Sequence, residues 1–71
     1  MKPGHRLQLS HKIRTLRQKA GYTQEHLAEL AELDYKYLQR IEGKDPPNLK
    51  IDTIGKLARA LKVTPAELFE L

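Results

Sequence analysis

Tyr35, Lys36, Gln39 and Arg40 stand at i, i+1, i+4 and i+5 in the run DYKYLQRIE. On a helix this spacing gathers a phenol, an ammonium, an amide and a guanidinium along one broad side. Such groups donate hydrogen bonds to base edges and phosphate oxygens. Leu38 and Ile41, three apart, would face the other way into a core. Twelve residues upstream, Thr23 and Gln24 open another helical segment. The free N–H groups and positive dipole end of such a segment suit a phosphate. Any surface helix carries residues of these types, so spacing favours nucleic-acid binding but leaves a plain polar face open.

Other chemistries find little support. The three histidines, His5, His11 and His26, share no metal-ligand spacing, and there is no cysteine for a thiolate site or a disulfide. No nucleophile stands with a base in a recognisable pattern, and 71 residues leave no room for an enclosed cleft. The expectation is no enzyme, no cofactor and no small-molecule substrate. The N-terminal MKPGHRLQLS has no apolar core of a secretory signal, and no apolar run approaches the ~20 residues of a membrane span. A cytoplasmic protein with no membrane contact is therefore expected.

Charge points to an anionic partner. Thirteen Lys and Arg oppose nine Asp and Glu, for a net +4. Residues 1–20 hold six basic residues and no acid, while residues 24–45 hold six acids and three bases. The basic excess thus sits on an N-terminal arm, taken as flexible over residues 1–6, and on the first helix. A solvated helix face would look the same.

The elements that must position these residues are all helical. Leu9, Ile13, Leu16 and Ala20 mark a first helix starting near Ser10 and ending at Gly21, which suits a left-handed C′ position. Thr23 is the next N-cap, with Glu25 in the first turn and Leu27, Ala28, Leu30 and Ala31 as the buried face. Asp34 caps a third helix over about 35–42, closed by Gly43. The prolines of KDPPN make residues 44–48 a loop. Ile51, Ile54, Leu57, Ala58 and Leu61 mark a fourth helix, with Gly55 inside it as a point of close packing. Thr64-Pro65-Ala66-Glu67 is a capping box opening a short fifth helix with Leu68, Phe69 and Leu71. Residues 1–71 thus form one compact all-α domain of five helices, too small to bury more than about 60% of its unfolded surface.

The connection Ala31-Glu32-Leu33 is too short for an easy antiparallel return. It favours the steep crossing of a helix-turn-helix, with Leu33 plugging the angle and Tyr35, Lys36, Gln39 and Arg40 left outside.

At this point the sequence resembles a known family. The run LRQKAGYTQEHLAELAELDYKYLQRIEGKDPPNLKIDTIGKLARALKVTPAELF is similar to the lambda-repressor-like helix-turn-helix domain of the phage-repressor and Cro (XRE) family. The similarity covers about residues 7 to 70. Its parts are weak singly and specific in order: Leu16-Arg17 with Ala20-Gly21 and Thr23-Gln24-Glu25, then YLQRIEGK, then PNLKIDTIGKLARALKV. The resemblance implies that Asp34, Tyr35, Lys36, Gln39 and Arg40 read bases in the major groove. It implies phosphate contacts from Arg17, Thr23, Gln24, Lys44 and Asn48. Tyr37 matches a position near the DNA backbone, although packing against helix 2 fits it as well. Gln24 would also brace the first residue of helix 3, and Arg17 and Glu42 would form an ion pair locking that helix. Two features depart from the family pattern. Glu32 stands where glycine is frequent, a strain if its φ is positive. Glu25, Glu29, Glu32 and Asp34 bring acid near the reading helix, although those of helix 2 are expected mostly to face away from it.

The implied function is sequence-specific binding of double-stranded DNA by a transcriptional regulator, of repressor type or a restriction-modification controller. A homodimer is expected, because two-fold pairing sets two reading helices about 34 Å apart on a pseudo-palindromic operator. Leu68, Phe69 and Leu71 are the candidate dimer patch, unless Leu68 and Phe69 close the core instead. The alternative is a protein-interaction module of the same fold, of antitoxin or coactivator-bridging type, with weak or non-specific DNA binding.

Overall fold

The computed structural model describes residues 4–69. Five helices follow in order: α1 (Gly4–Ala20), α2 (Gln24–Leu30), α3 (Tyr35–Ile41), α4 (Ile51–Leu61) and α5 (Pro65–Leu68). The Cα radius of gyration is 10.9 Å, close to the ~11 Å of a well-packed chain of this length.

Each short helix starts where a side chain can replace a missing backbone partner. The Thr23 hydroxyl accepts from the His26 N–H at 3.0 Å, and the Asp34 carboxylate accepts from the Lys36 N–H at 2.8 Å. At α5 the box is reciprocal: Glu67 N–H donates to the Thr64 hydroxyl at 3.2 Å, and Thr64 N–H to the Glu67 carboxylate at 2.7 Å. These contacts satisfy donors that the helices themselves leave free.

Three helices end in the same way. In α1, α2 and α4 the chain turns through a left-handed residue: Gly21 (φ 79°), Glu32 (φ 58°) and Lys62 (φ 61°). The next N–H then reaches back five residues, Tyr22 to Arg17 O, Leu33 to Ala28 O and Val63 to Ala58 O. This is the Schellman pattern, and its apolar contact is present each time, since Tyr22, Leu33 and Val63 all pack against the core. Only the first of these turns uses glycine. The positive φ at Glu32 makes the strain foreseen for a non-glycine residue real.

The core is built from Leu9, Ile13, Leu27, Leu38, Ile41, Leu57, Leu61 and Leu68, with Ala28, Ala31 and Ala58 between them. α4 is the centre of the packing and touches α1, α2 and α5, while α2 and α3 form a pair.

Several sequence expectations are corrected. α1 begins at Gly4 rather than near Ser10, so residues 4–6 of the expected flexible arm are helical, and residues 1–3 lie outside the described chain. Arg6, Leu7 and Gln8 are exposed. These three are good helix formers but give no buried stripe for periodicity to detect. Leu30 is 45% exposed. It sits about 100° round the helix from the centre of the Leu27, Ala28 and Ala31 stripe. Ile51 is 86% exposed, in the first turn of α4, before the helix enters the core at Leu57. Ala20, at the far end of α1, is exposed for the same reason. Nothing approaches within 4 Å of a Cβ built on Gly55, so close packing is not its role.

Candidate nucleic-acid interface

α3 presents the expected group outward. Leu38 and Ile41 are buried, while Tyr35, Lys36, Gln39 and Arg40 are all exposed. Asp34 is exposed too, but one carboxylate oxygen is occupied by the Lys36 N–H. Its first task is to cap the helix. The other oxygen is free to accept.

The far end of α3 is held by a buried clamp. Arg17 binds Glu42 in bidentate fashion, Nε to Oε2 at 2.8 Å and Nη2 to Oε1 at 3.0 Å. Its Nη1 donates to the Tyr22 carbonyl at 2.8 Å, and Gln24 Nε2 donates to Glu42 Oε1 at 3.1 Å. The Glu42 side chain is 1% exposed and that of Arg17 13%. Four pieces of chain meet here: α1, the turn after it, the start of α2 and the C-cap of α3. Gln24 therefore braces the end of α3, not its first residue, because its amide reaches the carboxylate that Arg17 has already fixed. Arg17 has spent three of its five N–H groups internally, leaving little for a phosphate.

The remaining candidates fall around this frame. Thr23 is exposed and its hydroxyl hydrogen stays free to donate; Lys44 and Asn48 are exposed on the loop between α3 and α4. That loop is anchored by buried Pro46 and half-buried Leu49. Tyr37 is half-buried and packs against the core, which favours the packing role foreseen as its alternative. Leu68 is 1% exposed and closes the core under α4, so it is removed from the candidate dimer patch; Phe69 is 58% exposed, and Leu71 lies outside the described residues.

Two groups escaped the sequence reading. His11 and Arg14 line a shallow cleft of about 290 Å³ with Ser10, Lys44 and the clamp residue Glu42. Arg14 lies one turn before Arg17, so helical spacing could have found it. The second group is acidic. Glu25 and Glu29 line a groove with Thr23, Leu33 and Tyr35. These two acids share a groove with Tyr35 at the start of the reading helix instead of facing away from it.

Among the described residues, no helix is long and apolar enough to cross a membrane and no three His, Asp or Glu side chains gather as metal ligands.

A short capped helix, packed against its predecessor across a tight turn and exposing donors on one face, defines a helix-turn-helix protein. The helix-turn-helix family model matches residues 13–68, and the chain belongs to that family. Its structure is similar to the restriction-modification controller protein C.AhdI from Aeromonas hydrophila, with 38% identity over 90% of this chain and 96% of that one, at a TM-score of 0.85. It is also similar to the hypothetical transcription factor NHTF from Neisseria, at 32% identity over 93% and 75% of the two chains and a TM-score of 0.86. SinR, the master regulator for biofilm formation, has been solved in complex with DNA; it is 29% identical over 87% of this chain and 98% of that one, with a TM-score of 0.82. No sequence among the curated proteins matches the chain.

Proposed function

We propose that the chain is a transcriptional regulator that reads double-stranded DNA with α3 in the major groove. The observation that carries this reading is the exposed set Tyr35, Lys36, Gln39 and Arg40, held at one end by the Asp34 cap and at the other by the Arg17–Glu42–Gln24 clamp. Rigid placement is what base readout requires, since hydrogen bonds to base edges are lost with small displacements. Arg40 and Lys36 suit guanine, Gln39 suits adenine, and the free oxygen of Asp34 suits the amino group of cytosine. Thr23, Gln24, Lys44, Asn48 and Arg14 would bind phosphates, with Tyr37 and Arg17 supporting from behind. The similarity to C.AhdI over nearly both full lengths supports a restriction-modification controller.

The working form is a homodimer, paired through the surface that includes exposed Phe69, acting in the cytoplasm. Binding-site selection on random duplexes, followed by gel shift, tests the reading. One preferred two-fold site is expected, with Arg40→Ala weakening it by ~1–3 kcal/mol. The absence of any preferred site, with binding unchanged by Arg40→Ala, would overturn it in favour of a protein-interaction module.

A further inference from the structure

A second concave surface lies between α2 and α4, with a volume of about 450 Å³. Its apolar part comes from Leu30, Ala31 and Ala60, beside Tyr22. Leu30 is the large side chain left on the surface there. Tyr22 and His26 meet edge to face at 5.0 Å and form a firm aromatic wall. The opposite rim is cationic: Lys56, Arg59 and Lys62 all line it, against the single carboxylate of Glu32. Among the described residues none of these three cations has an ion-pair partner. None of Tyr35, Lys36, Gln39, Arg40, Lys44 or Asn48 contributes to this cleft.

Helix electrostatics account for only part of this. A cation in the last turn of α4 complements the macrodipole, which covers Arg59 and Lys62. Lys56, in mid-helix, gains nothing from it, and the exposure of Leu30 is unrelated. The backbone adds a second observation. Glu32 and Lys62, the two non-glycine residues with positive φ among those described, both stand at this cleft. Glycine would be easier at each, yet each position carries a charged side chain toward the same opening.

We propose that the α2–α4 cleft docks an acidic segment of a partner protein, with one apolar side chain seated against Leu30, Ala31 and Ala60 and flanking carboxylates paired with Lys56, Arg59 and Lys62. Charge complementarity selects this occupant. A duplex is a convex cylinder of phosphates and leaves an apolar concavity unfilled. A peptide with an anchor and an acidic rim fills both parts, the usual anatomy of a protein–protein contact. The site is independent of DNA reading, so either activity can fail without the other.

The test titrates the isotopically labelled chain, at physiological ionic strength, with a synthetic peptide carrying a Leu-Phe pair between aspartates. The expected result is saturable binding, with amide shifts confined to Tyr22, His26, Leu30 and residues 56–62. A matched peptide with Ser-Ser in place of Leu-Phe should bind at least about tenfold more weakly, the loss of one buried apolar side chain. The double variant Lys56→Gln/Arg59→Gln, at half-buried Lys56 and exposed Arg59 on α4, should weaken the Leu-Phe peptide by about tenfold, two surface charge contacts at the upper end of their usual strength. Leu30→Ala, which removes the apolar wall without touching a charge, should do the same. Equal binding of the serine peptide would overturn the proposal, as would shifts spread over residues 35–40. Cleft shifts produced equally by a random DNA duplex would overturn it in favour of a nucleic-acid surface.

Discussion

Removing Arg17 while leaving Glu42 in place should come close to unfolding the protein. Glu42 is 1% exposed and accepts three hydrogen bonds, two from Arg17 and one from Gln24. In Arg17→Met the carboxylate keeps the Gln24 bond alone and loses its countercharge. Two hydrogen bonds to a charged group are worth ~1.5–3 kcal/mol each, and breaking one side of a buried pair typically costs ~3–5 kcal/mol. A chain of this length holds roughly 4–11 kcal/mol in all. Arg17→Met should therefore remove a large share of the total and lower Tm by at least ~12 °C. Glu42→Leu should cost less than Arg17→Met, because the Arg17 guanidinium keeps the Tyr22 carbonyl and reaches solvent at its exposed edge. The double variant Arg17→Met/Glu42→Leu should recover to within ~1.5 kcal/mol of the native chain, since two apolar side chains replace two buried charges. Urea denaturation of the four proteins, followed by far-ultraviolet circular dichroism, gives the coupling energy directly. A loss below ~1 kcal/mol for Arg17→Met, or simple additivity in the double variant, would refute the clamp.

Gly55→Ala should stabilise the chain by ~0.5–1 kcal/mol in the same urea assay, because the added methyl meets nothing within 4 Å and the helix loses a flexible residue. Glu32→Gly should gain up to ~1 kcal/mol by relieving the left-handed backbone at φ 58°; a loss would show that the Glu32 side chain contributes more than its strain costs. The Glu67 carboxyl is held below its ordinary value of 4.5, chiefly by the Thr64 N–H, then by the Thr64 hydroxyl, with Lys12 helping. A depressed folded-state value means the box supports α5 above pH 4.5 and is lost as pH falls through that lower value. An NMR titration should place the Glu67 midpoint below 4.5, and Thr64→Val should raise it; a native midpoint at or above 4.5 would contradict the capping geometry.

What the sequence made legible was local. The caps at Thr23, Asp34 and Thr64 depend on a hydroxyl or carboxylate one to three residues from its target, and each is where its spacing places it. Periodicity gives the core stripe of α4 from Ile54 to Leu61 but wrongly extends it to Ile51, which lies beyond the packed part of the helix. Legibility stops where a contact depends on how two distant helices cross. Nothing near Leu30 in the chain says that it faces α4 across an open cleft, because Lys56 and Arg59 arrive there from the next helix but one. Gln24 was readable as a brace, but its target was not, since the choice between the two ends of α3 is made by where Arg17 has already placed Glu42. The α1 start is hidden for the opposite reason: Arg6, Leu7 and Gln8 are exposed, so the helix there carries no buried stripe to read.

The clamp also answers why a charged pair is buried in so small a core. α3 has seven residues, well short of the ~12 or more at which a helix becomes even marginally stable alone. Apolar packing of Leu38 and Ile41 holds it against α2 but is non-directional, so rotation about its own axis is weakly resisted. The Glu42 carboxylate adds direction, accepting from Arg17 and Gln24 at fixed angles on two other helices. The Asp34 cap fixes the opposite end. With both ends set, the orientation of Tyr35, Lys36, Gln39 and Arg40 is set too. An apolar replacement such as Arg17→Met/Glu42→Leu keeps the stability and gives up that direction. It should therefore fold and yet lose discrimination between its preferred duplex and a scrambled one. Full discrimination by the double variant would show that packing alone orients the helix.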